Sequence, residues 1–419
     1  MTVDLARLIA DQFSDIPRKS IGIAVSGGSD SMALLHLLHS FAQEHGTEIF
    51  VATVNHGLRA EAAEEAAMVA EVCAQLGRSH HILDWNDWDH SGNLQGEARK
   101  ARYGLLTQWG RQVGVDCIAL GHTMDDQAET FLMRIGRRAG VDGLAAMPHR
   151  FDRDGMRWVR PLLQARRLDL RGYLTAQGIG WVDDPSNDDD RFDRVRTRKA
   201  LSILSELGID ADAISDVSQN LSAAKDALNH QMLTIAREIV TLQAGAVTID
   251  ANALAAQHPE LRRRLVVHAL KWVNGAYYAP RSSAVNSVLD ALEHASSATL
   301  QGCELRKKGE TLWIFRELNA VANTTAQPGE LWDNRWHLVP PVGGTGRNEP
   351  LSLCALGAKG LYSCKDWRAL GIPRAVLLST PAVWNGTRLI AAPLAGWPQN
   401  WQARLNRGED TFFAAHITH

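Results

Sequence analysis

The hydrophobic positions in about the first 140 residues alternate between short continuous apolar runs and helical spacing. The apolar runs predict buried strands at residues 20–25, 48–56, 80–85 and 116–122. Apolar side chains spaced by three or four positions predict helices at residues 32–45, 60–77, 94–114 and 125–135. Strands that alternate with helices of this length form a doubly wound parallel α/β sheet, which binds ligands beyond the carboxyl ends of its strands. We therefore predict this fold class for the first part of the chain.

The pattern changes at about residue 136, after which arginines crowd the segment up to residue 199. From residue 207 to 298 the apolar spacing is mostly helical, and the alternation at 299–317 predicts a β-hairpin around Lys308-Gly309. Residues 321–330 have the composition of a linker, and repeated strand and turn signals follow them. We predict three domains: an α/β domain at 1–205, a mainly helical domain at 206–320 and a small strand-containing domain at 331–419.

The amino-acid composition of the chain limits the classes of protein to which it can belong. Hydrophobic residues make up 45% of the 419 residues and charged residues 22%, as in soluble proteins with real cores. No signal peptide precedes the first helix, and no apolar run approaches the roughly 18 residues of a membrane span. The five cysteines never form a C-x-x-C pair, which argues against zinc or iron–sulfur sites. We expect a cytoplasmic protein without a membrane partner.

The formal net charge of −3 gives no global sign of nucleic-acid binding. A local basic surface can still bind phosphate while the average charge stays near neutral. The charge of the whole chain therefore excludes no partner of this kind.

The join between the first predicted strand and its helix is rich in small and hydroxylated residues. It reads Ser26, Gly27, Gly28, Ser29, Asp30 and Ser31. Adjacent glycines let the backbone lie against a ligand, and a helix start offers unpaired N–H groups to phosphate. The serines add hydroxyl donors, and the carboxylate of Asp30 is suited to the Mg²⁺ that accompanies a nucleotide. The alternative is an ordinary strand–helix turn capped by Ser and Asp.

This loop is neither a Walker loop nor a dinucleotide fingerprint. It resembles the phosphate loop of the ATP-pyrophosphatase superfamily, whose members cleave ATP between its α and β phosphates. The resemblance implies adenylation: a substrate oxygen attacks the α-phosphate and pyrophosphate leaves. It implies ATP and Mg²⁺ as cofactors.

Longer stretches resemble one family within that superfamily, the tRNA-isoleucine lysidine synthetases. They are "NHGLRAEAAEEA", "GEARKARY" and "GHTMDDQAETFLMRIGRRAGVDGLAAM", together with "RPLL" and "DDPSN". The resemblance implies that ATP adenylates the C2 oxygen of the wobble cytidine in isoleucine tRNA with a CAU anticodon. Free lysine then displaces AMP through its ε-amine to form lysidine. It also implies tRNA recognition by the domains at 206–320 and 331–419, and a possible homodimer.

Several charged residues suit these roles. Asp125, Asp126 and Glu129 fall within one helical turn, where they can grip a cationic amino acid. The resemblance implies that Asp126 and Glu129 bind the lysine substrate. The alternative is an acidic first turn that complements the helix dipole. His122 ends the strand just before this turn, where it can contact the nucleotide phosphate or the developing charge.

Two groups of basic residues complete the predicted site. Arg99 and Arg102 lie three positions apart and can neutralise an α-phosphate, or else form a solvated helix face with Glu97. The arginine-rich segment predicts a tRNA surface, with Arg194 and Arg198 as candidate substrate-binding residues. Its other candidates are Arg134, Arg137, Arg138, Arg191, Arg196 and Lys199. Asn55, His56 and Arg59 follow the second strand, where adenine or ribose would lie.

Two departures from the family pattern stand out. Val195 occupies a position that is usually asparagine, and several small residues of the family are replaced within 136–147. Neither change touches the phosphate loop or "DDQAET".

Two other functions stay open at this point. A tRNA thiolase of the same superfamily needs sulfur chemistry that these cysteines do not offer. A non-catalytic tRNA-binding protein would not need Asp30, His122, Asp126 and Glu129.

Overall fold

The computed structural model describes residues 3–13, 20–57, 61–85, 94–183, 193–276, 278–341 and 350–414. Its contacts divide the chain into two compact units, Met1–Lys225 and Asp226–Ile417. Within the described ranges, no helix combines the length and apolar character needed to cross a membrane.

The first unit contains a six-stranded sheet between helices. Its strands are β1 (Ser20–Ala24), β2 (Glu48–Asn55), β3 (Ser79–Asp84), β4 (Cys117–Leu120), β5 (Arg150–Arg153) and β6 (Met156–Val159). Its helices are α1 (Leu5–Phe13), α2 (Ser29–His45), α3 (Glu61–Gln75), α4 (Leu94–Val113), α5 (Met124–Gly136), α6 (Val141–Leu144), α7 (Arg167–Ala176) and α8 (Asp193–Ser205). The strand order is β3-β2-β1-β4-β6-β5, and every pair is parallel except β5 with β6. The predicted parallel α/β fold is confirmed.

The central strands are buried on both faces, which explains their continuous apolar runs. Ile21 and Ile23 of β1 pack into the core that contains α2 and α7. Ile118 and Leu120 of β4 pack on the other face, with α4. Gly22 allows the close approach of α4, because a Cβ there would lie 2.9 Å from the ring of Trp109. The two helical layers therefore leave only the strand ends open for a ligand.

The second unit begins within α9 (Ala211–Ile239), and its described residues form three antiparallel sheets. The largest has the order β7-β8-β11-β10-β9, formed by Val240–Gln243, Ala246–Asp250, Thr311–Arg316, Cys303–Lys308 and Ser297–Leu300. The helices α10 (Ala251–Ala255), α11 (Pro259–Asn274), α12 (Ser282–His294) and α13 (Leu318–Val321) accompany it. The predicted hairpin at 299–317 is present as β10 and β11, whose register ends at Lys308 and Thr311.

The remaining strands form two smaller sheets. Strands β12 (Trp336–Val339) and β16 (Gln402–Leu405) pair, and β13 (Ser352–Ala355), β14 (Pro381–Asn385) and β15 (Arg388–Ala391) form the other sheet. The helices of this region are α14 (Gly357–Ser363), α15 (Arg374–Leu378) and α16 (Asp410–Phe413).

One hairpin was not predicted. β7 and β8 interrupt the helical spacing, and the two residues between them, Ala244 and Gly245, both have positive φ. Such a turn matches the twist of a tight hairpin, but Ala at its first position gives no turn signal in the sequence.

Candidate active site

The loop between β1 and α2 lies at the carboxyl edge of the sheet and leads into the first turn of α2. Gly27 has φ +87°, a conformation that favours glycine, and Gly28 caps α2 without a side-chain hydrogen bond. The Ser31 hydroxyl accepts from the Ser26 N–H at 3.1 Å and donates to the Gly28 carbonyl at 3.0 Å. The loop is therefore held by its own serine while the helix start remains able to bind an anion.

The end of β4 lies directly against the first turn of α2. A Cβ on Gly121 would lie 3.1 Å from the carbonyl oxygen of Asp30 and 3.2 Å from Cα of Ser31. Only glycine allows this approach without a shift of one main chain. The contact brings the next residue, His122, beside the phosphate loop.

The first turn of α5 is fixed by a capping box. Thr123 is the N-cap, and its hydroxyl accepts from the Asp126 N–H at 3.3 Å. One oxygen of Asp126, Oδ2, accepts from the Thr123 N–H at 2.9 Å and from the Thr123 hydroxyl at 3.1 Å. Asp126 thus takes part in the cap of its own helix. Its other oxygen, Oδ1, faces an arginine of α7.

That arginine, Arg167, joins the phosphate loop to the acidic turn. Its Nε donates to Asp30 at 3.0 Å, its Nη1 donates to Glu129 at 3.4 Å, and its Nη2 lies 3.6 Å from Asp126. Its backbone N–H donates to Asp125 at 2.7 Å. One guanidinium therefore contacts three carboxylates, which belong to two helices.

Glu129 is the most deeply buried of these acids, with 1% of its surface exposed. Its Oε1 accepts from Arg167 and also from Arg198 of α8, at 3.0 Å from the Arg198 Nε. Its Oε2 is buried and has no hydrogen-bond partner among the described residues. A buried carboxylate oxygen in this state is costly, so the position favours a bound cation.

The carboxylates respond differently to burial. Burial raises the pKa of Asp30, and the charge of Asp126 adds to that increase, so the pKa stays above its ordinary value despite Arg167. Burial also acts to raise the pKa of Asp126. There the electrostatic interaction with His122, the charges of Arg194 and Arg167 and the bond from Thr123 outweigh it, and the net pKa is lowered. The surroundings therefore favour the ionised form of Asp126 more strongly than the ionised form of Asp30.

Burial lowers the pKa of His122 well below its ordinary value, which favours the neutral imidazole. The charge of Asp126 opposes this decrease, and the charges of Arg160, Arg102 and Arg99 add to it. Its Nδ1 is buried without a hydrogen-bond partner among the described residues. The imidazole can therefore bind a ligand without bringing a charge of its own.

The arginines near His122 form a basic wall. Burial lowers the pKa of Arg102, and the charges of Arg99 and Arg194 lower it further. Arg160 is 5% exposed and stacks on Phe151, with 4.2 Å between its guanidinium carbon and the ring centroid. Mutual repulsion among these guanidinium groups favours an anion such as phosphate between them.

Sequence comparison places the chain among enzymes of tRNA modification. A model of the PP-loop domain matches residues 1–204. A tRNA(Ile)-lysidine synthase from Ruegeria pomeroyi is 46% identical over 416 residues, which cover 99% of this chain and 98% of the relative. The chain belongs to the tRNA(Ile)-lysidine synthase family.

Two further matches are less similar to the chain than this relative. The tRNA(Ile)-lysidine synthase from Wolbachia pipientis wMel is 33% identical over 89% of this chain and 88% of the relative. Among solved structures, the U34-tRNA thiolase NcsA from Methanococcus maripaludis aligns with a TM-score of 0.46 at 16% identity. That alignment covers 52% of this chain and 78% of the thiolase.

Three further residues that the sequence analysis of this tRNA(Ile)-lysidine synthase family member singled out lie on α5 and α8. Arg194 is exposed on α8 and influences both Asp126 and Arg102 electrostatically. Arg134 donates to the Gly143 carbonyl at 2.6 Å, so part of its function is to hold the turn after α5. Val195 is 5% exposed and packs inward, so this position makes no polar contact.

The residues after β2 lie at the same edge of the sheet. Asn55 donates to Asp84 at 2.9 Å, and His56 packs edge-on against Trp85 with 5.6 Å between ring centroids. Arg102 contributes to a lowered pKa of His56, after burial. The predictions for Arg59, Arg191 and most of "DDPSN" lie outside the described residues.

Sequence reasoning missed two central residues, Arg160 and Arg167. Arg160 opens "RPLL", which entered the resemblance without a role for its arginine, and Arg167 follows in an arginine-rich run. A run of arginines on a helix start reads as a solvated face, so only their tertiary contacts identify them.

Magnesium fits this site only together with a nucleotide. Within the described ranges, no three His, Cys, Asp or Glu side chains are close enough to form a metal cage. Mg²⁺ in nucleotide enzymes commonly takes one or two carboxylates plus phosphate oxygens. Asp30, an acidic residue in the first turn of α2 beside the phosphate loop, is suited to be that carboxylate.

Proposed function

We propose that the protein ligates lysine to C2 of the wobble cytidine of isoleucine tRNA with a CAU anticodon. ATP first adenylates the cytidine, and the products are lysidine, AMP and pyrophosphate. The observation that carries the proposal is the placement of two opposite binding functions at one sheet edge. The helix start at Gly28, which is suited to an anion, is connected through Asp30 and Arg167 to a buried carboxylate, Glu129, whose Oε2 has no hydrogen-bond partner in the described part of the chain.

The first step places charge where the chain offers donors. The cytidine O2 attacks the α-phosphorus, and the bond to the pyrophosphate oxygen breaks. The amides of the loop and the hydroxyls of Ser26 and Ser29 stabilise the departing pyrophosphate. Arg99, Arg102 and the neutral His122 stabilise the α-phosphate. Mg²⁺ held by Asp30 would neutralise the leaving group when bound.

The second step forms a carbon–nitrogen bond, which makes the protein a ligase of that class. The lysine ε-ammonium first gives a proton to a carboxylate of the acidic turn. The resulting ε-amine attacks C2, the bond from C2 to the adenylate oxygen breaks and AMP leaves. Asp126 and Glu129 hold the amine before the attack, because they are buried carboxylates at the same edge. Asp125 supports them through the backbone of Arg167.

Larger surfaces hold the tRNA. Arg194, Arg198 and the exposed arginines after α5 contact its phosphates near the site, and the regions 206–320 and 331–419 recognise the rest. Phosphate contacts supply affinity, and a splayed single-stranded base supplies specificity. We also propose a homodimer acting in the cytoplasm, where ATP and tRNA are found.

The cysteines do not favour the thiolase alternative. All five are free, and burial raises the pKa of Cys73 to about 11 and of Cys117 to about 12. A thiol with so high a pKa provides little thiolate for sulfur transfer.

The proposal is tested with protein, ATP, Mg²⁺, labelled lysine and tRNA transcripts that differ only at the wobble base. We expect labelled lysine to be joined to the CAU transcript with release of AMP. We expect no lysine to be joined to a transcript that lacks the wobble cytidine. Equal labelling of both transcripts, or ADP as the product, contradicts the proposal.

A further inference from the structure

Arg167 fills the cation position of the acidic site. Its guanidinium contacts Glu129 and Asp126, the two carboxylates that would hold the lysine ammonium under the proposed function, on which this inference rests. The same guanidinium contacts Asp30 beside the phosphate loop. One positive group thus occupies the place of one substrate and touches the binding loop of the other.

The backbone of Arg167 is fixed, and only its side chain is free to change partner. Its N–H is held by Asp125 at 2.7 Å, and the Met124 N–H donates to the Ala165 carbonyl at 2.9 Å. The start of α7 is therefore docked on the start of α5. The guanidinium, at the end of a long flexible side chain, can move between ligands while its Cα stays in place.

The charges at the loop provide a reason for such a movement. A triphosphate bound at the start of α2 places several negative charges next to Asp30, and arginine binds phosphate through its planar fork at least as well as carboxylate. Arg198 remains on Oε1 of Glu129 at 3.0 Å. Departure of Arg167 would leave Glu129 and Asp126 short of a positive charge that a lysine ammonium can supply.

We propose that Arg167 is a stand-in for the lysine ammonium, and that nucleotide binding draws it away to open the lysine site. Lysine then binds well only after ATP. Arg167 acts as a positioning residue that orders the two substrates. The two bindings are coupled because they compete for the same guanidinium.

The coupling is measured by equilibrium dialysis of labelled lysine against the full chain with MgCl₂. The experiment is run with and without the non-cleavable analogue α,β-methylene-ATP. We expect wild-type protein to bind lysine at least about tenfold more tightly with the analogue. In Arg167→Gln the two lysine Kd values become equal, and lysine binds tightly even without nucleotide. A wild-type ratio near one, or a wild-type ratio kept in Arg167→Gln, overturns the proposal.

Three further variants make the result specific. Arg166→Gln is the matched control, because Arg166 pairs with Asp210 and Asp212 rather than with the acidic site, and its ratio should equal that of wild type. Glu129→Gln should lose lysine binding, and binding kept there overturns the assignment of the site. Should Arg167→Gln fail to fold, Arg167→Lys retains the charge but cannot span three carboxylates. A clearly reduced ratio then supports the proposal, and an unchanged one overturns it.

The ligation assay separates this inference from the proposed function. Failure of wild-type protein to join lysine to tRNA contradicts the function. Normal ligation with uncoupled lysine binding contradicts only the ordering by Arg167.

Discussion

At the scale of single residues, the site depends on groups that serve structure and chemistry together. Asp126 closes the capping box of α5 with one oxygen and faces Arg167 with the other. Asp30 shares its carboxylate between Ser29 and Arg167. Burial makes each of these charges expensive unless it is paired, so a change in one alters the others. Residue-level tests must therefore separate loss of binding from loss of folding.

We expect Asp30→Ala to abolish adenylate formation while tRNA affinity stays within about twofold, since phosphate contacts of tRNA lie elsewhere. Release of pyrophosphate and filter binding of tRNA measure the two quantities. Asp152→Ala is the control, because Asp152 is an exposed carboxylate on the edge strand β5, paired with Arg157. Full adenylation by Asp30→Ala would exclude the metal-binding role of that carboxylate.

At the scale of elements, two helix starts and one strand end create the site. The start of α2 supplies amides, the start of α5 supplies carboxylates, and the end of β4 brings His122 between them. These elements meet because parallel strands point their carboxyl ends to the same edge of the sheet. The cap of α5 is the local interaction that sets the direction of the acidic turn.

We expect Thr123→Ala to lower stability by about 1 kcal/mol, because it removes the hydroxyl that accepts from the Asp126 N–H. Differential scanning calorimetry should show a melting temperature lower by about 2–4 °C. Thr123→Ser retains the hydroxyl and serves as the matched variant. An equal loss in both variants would mean that the methyl group, and not the cap, stabilises the turn.

At the scale of the whole molecule, histidines make the stability of the fold depend on pH. Burial lowers the pKa of seven of them: His36, His39, His56, His80, His122, His149 and His268. A group whose pKa is lowered by folding resists protonation in the native state but accepts a proton when unfolded. Stability is therefore complete above the unfolded value of about 6.5 and declines as the pH falls below it.

We expect the melting temperature to be lower at pH 5.5 than at pH 7.5. Each histidine contributes at most about 1.4 kcal/mol per pH unit, and less where water screens it. His268→Gln should weaken the pH dependence, since burial lowers the pKa of this side chain despite its contact with the Phe412 carbonyl at 2.7 Å. The exposed His230→Gln should leave it unchanged. A melting temperature that rises toward pH 5.5 would contradict this account.

Local patterns in the sequence were enough to predict the parallel sheet of the first unit and the hairpin of β10 and β11. In both cases the signal is short-range. A strand that is buried on both faces consists of consecutive apolar residues, and a tight turn needs glycine at a given position. The phosphate loop is equally local, since its glycines, serines and carboxylate lie within six residues and the strand and helix beside them orient it. The roles of the residues quoted there remain predictions.

Long-range contacts decided the rest. Arg167 is 137 positions from Asp30, and nothing near either residue signals that they meet. The environment of Glu129, whose Oε2 has no partner among the residues that the structure describes, likewise depends on how α5, α7 and α8 pack. A sequence determines which chemical groups are present and how its strands and helices begin. Which charged side chains lie together in a buried site is decided only when elements distant in the chain pack together. Burial is the physical reason, because an unpaired charge is costly only where water is excluded.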